Sequence, residues 1–77
     1  MRNVEKQFGK LMRRLRLERD FSQEDFAGHA GLNWRFYGEI ERGEASPTLH
    51  KLEALAKGLD LKLWELMKML EKEREST

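Results

Sequence analysis

The chain of 77 residues contains no cysteine, which excludes a disulfide framework and any metal site or nucleophile built on a thiolate. It has a single proline, Pro47, and no strand-like alternation of β-branched residues, so most of the chain is free to form helices. Charged residues interrupt every apolar segment, and no run approaches the length of a membrane-spanning helix. No apolar signal-peptide core follows the charged start of the chain. We therefore expect an all-α, soluble and cytoplasmic protein without a membrane partner.

Histidine is scarce as well, and its two positions do not suit catalysis. His29 and His50 lie on different predicted helices, and neither has a cysteine or a second histidine at metal-ligand spacing. An enzyme that uses these histidines with nearby carboxylates is one alternative, but a surface position is the better interpretation of each. We expect no catalytic residues, no bound metal and no cofactor.

Charge is abundant but nearly balanced, because 15 basic and 14 acidic residues leave a net charge of +1. Residues 1–20 carry seven basic and three acidic side chains, a net +4. Residues 21–42 carry two basic and four acidic side chains, a net −2, and residues 43–77 carry six and seven, a net −1. A basic first segment is as consistent with a solvated surface as with attraction to phosphate. Specific contacts must therefore carry any affinity for nucleic acid.

The central stretch, residues 21–43, predicts two short helices joined by a tight turn. Ser22 can accept a hydrogen bond from the backbone one turn on, and Asp25 follows at capping-box spacing, so the first of these helices begins at about Gln23. Gly31 ends it, because glycine adopts the left-handed conformation after a helix without a steric penalty.

Asn33 is placed to cap the second helix of this stretch, which we expect to run from about residue 34 to residue 42. Tyr37 and Ile40 fall on one side of it and face the first helix, and Gly43 closes it. Two crossed helices of this kind form a helix-turn-helix unit, whose second helix enters the major groove of DNA.

At these residues the sequence resembles the lambda-repressor-like, Cro-type helix-turn-helix family of phage repressors and restriction-modification controller proteins. The matching residues are SQEDFA at 22–27, the turn glycine Gly31 and IERG at 40–43, and the resemblance covers roughly residues 8–66. It implies a five-helix domain with the helix-turn-helix at 22–42. It also implies a transcriptional regulator that binds double-stranded DNA as a homodimer on an inverted-repeat operator. The alternative is an antitoxin or other protein-interaction module that binds a partner protein, with or without DNA binding.

The first helix, from about residue 4 to residue 18, carries an apolar stripe that faces the core. Arg16 lies at the edge of that stripe. The family has an arginine here that pairs with the glutamate of the IERG segment, so the resemblance implies a structural ion pair between Arg16 and Glu41. A partly buried guanidinium can give a carboxylate two parallel hydrogen bonds. The alternative is two independent surface charges.

The candidates for DNA contact are Gln23, Asn33, Trp34, Arg35, Phe36, Gly38, Glu39, Arg42, Thr48 and Lys51. Arg35 is the strongest candidate for base readout, because a guanidinium near the start of the second helix can bind guanine O6 and N7 together. Glu39 can accept from cytosine N4 or pair with Arg35 one helical turn away. The resemblance places a DNA-contacting glutamine at Gln23, although an ordinary exposed helix former is the alternative.

Three residues of the second helix depart from the family pattern. Trp34 replaces a usually polar residue, and its indole either packs on thymine methyl groups and sugar or folds back onto Gly38 and Leu32. Tyr37 replaces an aliphatic core residue, and we expect its ring to pack inside with the hydroxyl reaching the surface. Gly38 stands where the family commonly has serine, which removes a hydroxyl contact. The base readout is therefore hard to transfer from the family.

A fourth helix follows, and we expect Ser46 to cap it and Pro47 to occupy its first turn, since proline there loses no intrahelical bond. It runs to about residue 57. Its apolar side consists of Leu49, Leu52, Leu55, Ala56 and Leu59. Thr48 and Lys51 near its start either contact phosphate, which helix N-termini attract, or serve as a plain cap and a solvated lysine.

Asp60 is expected to cap a fifth helix from about residue 62 to residue 71, within a dimerisation segment at 61–72. The predicted dimer interface consists of Leu63, Trp64, Met67 and Leu70. This face offers more apolar surface than one end of a small core can absorb, which favours a symmetric dimer. The alternative is that these side chains only roof the core of one subunit, as the family pattern implies for Leu66.

Overall fold

The computed structural model describes residues 3–75 of the chain. It contains the helices α1 (Asn3–Glu18), α2 (Gln23–Ala30), α3 (Trp34–Glu41), α4 (Leu49–Gly58) and α5 (Leu63–Glu75). Residues 3–75 form no β-strand, and the prediction of an all-α, five-helix domain is confirmed. None of these helices is long and apolar enough to cross a membrane.

All five helices contribute side chains to one core. Helix α1 packs against α3 and α5, α2 packs against α3 and α4, and α4 packs against α5. The buried hydrophobic residues are Phe8, Leu11, Met12, Leu15, Phe26, Ala27, Tyr37, Ile40, Leu55, Ala56, Leu59, Leu66 and Leu70. Helix α1 thus packs on the inner side of α3, and α4 packs on α2. The first residues of α3 remain at the surface.

Helix α1 approaches the end of α3 backbone to backbone at Gly9, which is buried. A methyl group at Gly9 would collide with the carbonyl oxygens of Ile40 and Glu41, and it would lie 2.6 Å from the oxygen of Ile40. Only glycine permits so close an approach, because two backbone carbonyls cannot move aside as a flexible side chain can. No local pattern in the sequence marks Gly9 for this contact.

The start of α4 differs from the prediction that Ser46 caps it. Thr48 occupies the N-cap, where its hydroxyl oxygen accepts the backbone N–H of Lys51 at 3.2 Å. Pro47 precedes the helix and does not form its first turn. Serine and threonine both cap well, so local preference does not choose between the two positions. Ala45 packs against the core shortly before this cap.

The prediction that Asp60 caps α5 is wrong. Asp60 has a φ of +61°, and its backbone N–H donates to the carbonyl of Lys57 at 3.0 Å, so it belongs to the turn that ends α4. At the start of α5, the Glu65 carboxylate accepts the backbone N–H of Lys62 at 2.8 Å. An acidic side chain that reaches back in this way satisfies a donor that the helix leaves free.

Helix α5 also runs to Glu75, past the predicted end at about residue 71. Its last turns make an ion pair with α1, in which Arg14 Nη2 lies 3.0 Å from Glu73 Oε1. Arg74 and Glu71 add a pair within the helix at 3.6 Å. Charged contacts of this kind are not visible in an apolar pattern.

Candidate nucleic-acid interface

The helix-turn-helix is bounded by the caps that the sequence predicts. The hydroxyl of Ser22 accepts the backbone N–H of Asp25 at 3.0 Å, and the side-chain oxygen of Asn33 accepts that of Phe36 at 3.0 Å. Gly31 adopts a φ of +75°, and the next residue returns a hydrogen bond to the carbonyl of Ala27 at 2.8 Å. These local bonds set the sharp turn that leaves the N-terminus of α3 exposed.

A buried hydrogen-bond network centred on the Glu41 carboxylate joins α1, α2 and α3. Arg16 donates from Nε at 2.7 Å and from Nη2 at 3.1 Å, so the pair is bidentate. Gln23 donates its amide at 2.9 Å, and the hydroxyl of Tyr37 donates as well. The remaining arm of Arg16 donates to the carbonyl of Phe21 at 2.8 Å. The arginine and glutamate side chains are only 8% and 3% exposed, which excludes two independent surface charges.

The ionisation of this network follows from its hydrogen bonds. Burial by itself would raise the pKa of Glu41, but the bonds from Arg16, Tyr37 and Gln23 outweigh it and hold that pKa below its ordinary value. The bond to Glu41 raises the pKa of Arg16, and burial raises the pKa of Tyr37. The carboxylate and the guanidinium are therefore both charged at neutral pH, and the phenol keeps its proton.

Tyr37 corrects one prediction, because its hydroxyl does not reach the surface. The residue has no exposed area, and its hydroxyl donates to Glu41, four residues further along α3. Side chains four residues apart lie side by side on a helix, so the phenol reaches a buried acceptor without leaving the core. That spacing was a signal in the sequence, but its use depended on knowing that Glu41 points inward.

The Glu41 carboxylate also fixes the orientation of the Gln23 side-chain amide. A carboxylate accepts hydrogen bonds and cannot donate them, so the nitrogen of the Gln23 amide must face Glu41. The amide oxygen then lies on the side of Gly38, where a methyl group added to the glycine would be 3.7 Å from it. The atom of the Gln23 amide on that side is therefore an acceptor.

The outer side of α3 forms a shallow groove, the α3 groove. It is lined by Gln23, Asn33, Trp34, Arg35, Gly38 and Arg42. The structure thus brings six of the ten predicted contact residues together on one surface. The indole of Trp34 is 56% exposed, which favours the contact alternative over a side chain folded back into the protein.

The two arginines of the α3 groove differ in their surroundings. Arg42 pairs with Glu44 at 3.1 Å, and its guanidinium lies over Gly38, which is buried as a result. Glu44 lies outside α3, so helical spacing does not indicate this pair. Arg35 is exposed, and within residues 3–75 it forms no ion pair with Glu39. Arg35 is therefore free to move toward a ligand.

Phe36, Thr48 and Lys51 form a separate cluster beside the α3 groove. The ammonium of Lys51 lies 5.1 Å from the centre of the Phe36 ring, a cation–π contact. The Thr48 hydroxyl oxygen accepts the backbone N–H of Lys51 as the cap of α4, and its own proton can still be donated. The Lys51 charge sits at that same helix N-terminus, where phosphate binding is favourable.

The predicted dimer surface on α5 is only partly exposed. Trp64 is 61% exposed, and Leu63 and Met67 are half-buried. Leu70 is 9% exposed and belongs to the core, so its assignment to an interface is corrected. Leu49, which was expected to face the core, is instead 73% exposed because it is the first residue of α4 and lies beyond the packed turns. Leu49 and Trp64, at the starts of α4 and α5, are thus the two most exposed large apolar residues of the described chain.

The histidines occupy ordinary surface positions. His29 is exposed and stacks on Phe21 with 5.1 Å between ring centres, and His50 is exposed on α4. Across residues 3–75, no group of three or more histidine, cysteine or acidic side chains is arranged to hold a metal ion.

Comparisons with known proteins agree with this architecture. Control protein C.MunI of a Mycoplasma species is 38% identical over 74 residues, which cover 95% of this chain and 100% of that protein. The restriction-modification controller C.AhdI of Aeromonas hydrophila is 34% identical, with a TM-score of 0.80 over 84% of this chain and 98% of that one. The C.Esp1396I controller tetramer, in complex with its natural 35 base-pair operator, is 29% identical, with a TM-score of 0.86 over 95% and 96%. Residues 7–66 match the helix-turn-helix domain family. This match covers most of the chain, and the protein belongs to that helix-turn-helix family, with restriction-modification controller proteins among its relatives.

Proposed function

We propose that this protein is a sequence-specific transcriptional regulator that binds double-stranded DNA as a homodimer on an inverted-repeat operator, as a restriction-modification controller or phage-type repressor. The observation that carries the proposal is the α3 groove. Six residues with predicted DNA contacts line it, and the first two residues of α3, Trp34 and Arg35, are exposed. A related controller forms a complex with its operator DNA.

In this proposal α3 enters the major groove with its N-terminus toward the base edges. Arg35 supplies the bidentate contact to guanine, and its exposed guanidinium, which makes no ion pair with residues 3–75, supports that role. Glu39 accepts from a cytosine amino group. Arg42, Thr48 and Lys51 contact phosphates at the edges of the surface, where Lys51 is held by the Phe36 ring.

The network around Glu41 supports this readout from inside the protein. It joins Arg16 of α1, Gln23 of α2 and Tyr37 of α3 through one carboxylate. A rotation of α2 against α3 would break the bond from Gln23, and a shift of α1 against α3 would break the bidentate pair with Arg16. We assign the network the role of setting the angle at which α3 meets DNA.

A homodimer gives the two recognition helices that an inverted repeat requires, about 34 Å apart on one face of the duplex. The half-exposed residues Leu63 and Met67, together with Trp64, form the proposed interface. Binding to an operator places the protein in the cytoplasm, at the nucleoid. We assign it no catalytic role, since its family is a DNA-binding one.

The test is selection of bound sequences from a random pool of DNA duplexes, followed by titration of a selected and a scrambled duplex at several salt concentrations. The expected result is an inverted repeat with half-sites one DNA turn apart. Both affinities should fall as salt rises, while the selected duplex remains the tighter ligand. A pool without enrichment, together with binding that ignores salt, would refute the proposal.

A protein-interaction module such as an antitoxin is the second candidate function. The observation in its favour is the exposure of Leu49 and Trp64, which are 73% and 61% exposed. Large apolar side chains at a surface often mark contact with another protein. Two results together would favour this function over DNA binding. The homodimer would give way to a complex with a different protein, and the selection would enrich no DNA sequence.

A further inference from the structure

Trp34 is the one large apolar side chain that lines the α3 groove. It opens α3, directly after the Asn33 cap, and its indole is 56% exposed. Its neighbours in sequence behave differently, since Phe36 is half-buried and Tyr37 has no exposed area. Within the part of the chain that the structure describes, the indole makes neither a hydrogen bond nor a ring contact. The core does not use this ring, although an exposed tryptophan is costly to leave in water.

The surroundings of the indole are polar. Arg35 and Arg42 lie in the same groove, and the amide oxygen of Gln23 faces it. Gly38, one turn further along α3, adds no side chain beyond the indole. A base edge that enters the groove therefore meets charged donors and one apolar ring.

The major groove offers few apolar groups for that ring. The 5-methyl group of thymine is the one that distinguishes bases, whereas cytosine has only hydrogen at that carbon. Methylation of cytosine at C5 places a methyl group at the same position on a pyrimidine. The N-terminal residues of a recognition helix are those that contact base edges, and Trp34 is the first residue of α3.

We propose that Trp34 reads the 5-methyl group of a pyrimidine in each half-site, and that it accepts thymine or 5-methylcytosine there over uracil or cytosine. This inference rests on the proposed function and specifies one of its contacts. The binding of one methyl group by the indole corresponds to about a fourfold change in affinity, and to about 15-fold when both half-sites change together.

The experiment replaces each thymine pair of the selected operator by deoxyuridine, which removes the methyl group and keeps every hydrogen bond. Wild type should lose about 15-fold in affinity when one particular symmetric pair is replaced. Trp34→Ala should show no loss at that pair, and Trp34→Phe should keep part of it. Each comparison is a ratio within one protein, so a general weakening by the mutation does not affect it.

A second arm places cytosine or 5-methylcytosine at the same pair. The methylated duplex should bind wild type more tightly by a similar factor, and Trp34→Ala should bind both equally. Three results would each overturn the inference. They are a wild-type affinity that deoxyuridine changes at no thymine, half-sites that contain no thymine, and a loss of affinity with deoxyuridine that persists in Trp34→Ala. If any of these results occurs but the pool still yields an operator, the proposed function stands and only the role of Trp34 fails. If the pool yields no enriched sequence, the proposed function and the role of Trp34 both fail.

Discussion

Arg16 and Glu41 are 25 residues apart in the chain, yet Nε of the arginine lies 2.7 Å from Oε2 of the glutamate, with both side chains withdrawn from water. A charge pair in such a place stabilises the fold only as long as both partners are present. The loss of either partner leaves a buried charge without compensation.

Glu41→Ala should lower the free energy of unfolding by about 3 kcal/mol or more, because it leaves the buried guanidinium of Arg16 unpaired. Denaturant unfolding of the single variants at Arg16 and Glu41, and of the double variant, measures the coupling energy between the two residues. A double variant whose loss equals the sum of the single losses would contradict the pairing.

The pair between Arg42 and Glu44 is a matched control for this measurement. Its nitrogen-to-oxygen distance is 3.1 Å, but its side chains are 54% and 56% exposed. Glu44→Ala should cost less than about 1 kcal/mol, because water already solvates both charges. Equal losses at Glu41 and Glu44 would show that burial does not decide the strength of these pairs.

Acid should destabilise the protein through Glu41. Its pKa is lower in the folded state than the ordinary value of 4.5, so the unfolded chain binds a proton first as pH falls. The stability that Glu41 contributes is complete above about that ordinary value and is lost as pH falls through the lower, folded pKa. Denaturant unfolding of wild type and Glu41→Gln between pH 3 and pH 7 checks this, and the variant should show the weaker pH dependence. An identical slope in both proteins would exclude Glu41 as the source.

Gly9→Ala and Gly28→Ala should act in opposite directions, although both replace a glycine inside a helix. Alanine favours a helix over glycine by about 1 kcal/mol. At Gly28 nothing lies within 4 Å of the added methyl group, so thermal melting should rise. At Gly9 the methyl group meets the backbone of α3, and the protein should lose about 1 to 3 kcal/mol. A stabilised Gly9→Ala variant would show that α1 and α3 can separate without cost.

Arg35→Ala should relax base preference at one position of each half-site by about 1 to 3 kcal/mol, because it removes a base contact. Lys51→Ala should instead weaken all sequences alike and reduce the salt dependence, because its partner is a phosphate. Repeated selection from the random pool separates the two effects. An unchanged sequence preference in Arg35→Ala would refute the base contact.

The double variant Trp64→Ala, Met67→Asp should be monomeric where wild type is a dimer, because it removes apolar area and buries a charge at the proposed interface. Sedimentation at micromolar concentration measures the change, and circular dichroism confirms that the variant is folded. Leu17→Ala, which alters another exposed apolar side chain of 46% exposure, is the control and should remain a dimer. A monomeric wild type, or a double variant that still dimerises, would contradict the interface.

The sequence by itself determined the features that depend on near neighbours in the chain. Ser22 and Asn33 cap α2 and α3 as predicted, because a cap is a hydrogen bond to the backbone three residues away. Gly31 ends α2 for an equally local reason, its freedom to adopt a positive φ. The apolar periodicity of the helices likewise led to the five-helix fold, and the IERG segment to its family.

Only the tertiary structure decided which of several locally acceptable choices is used. Thr48 caps α4 in place of Ser46, although both residue types cap well. The phenol of Tyr37 stays inside because Glu41 is held there by an arginine from another helix. Gly9 matters only because α3 ends against it. Such choices depend on contacts between residues that are distant in the chain, and no pattern of neighbouring residues contains that distance information.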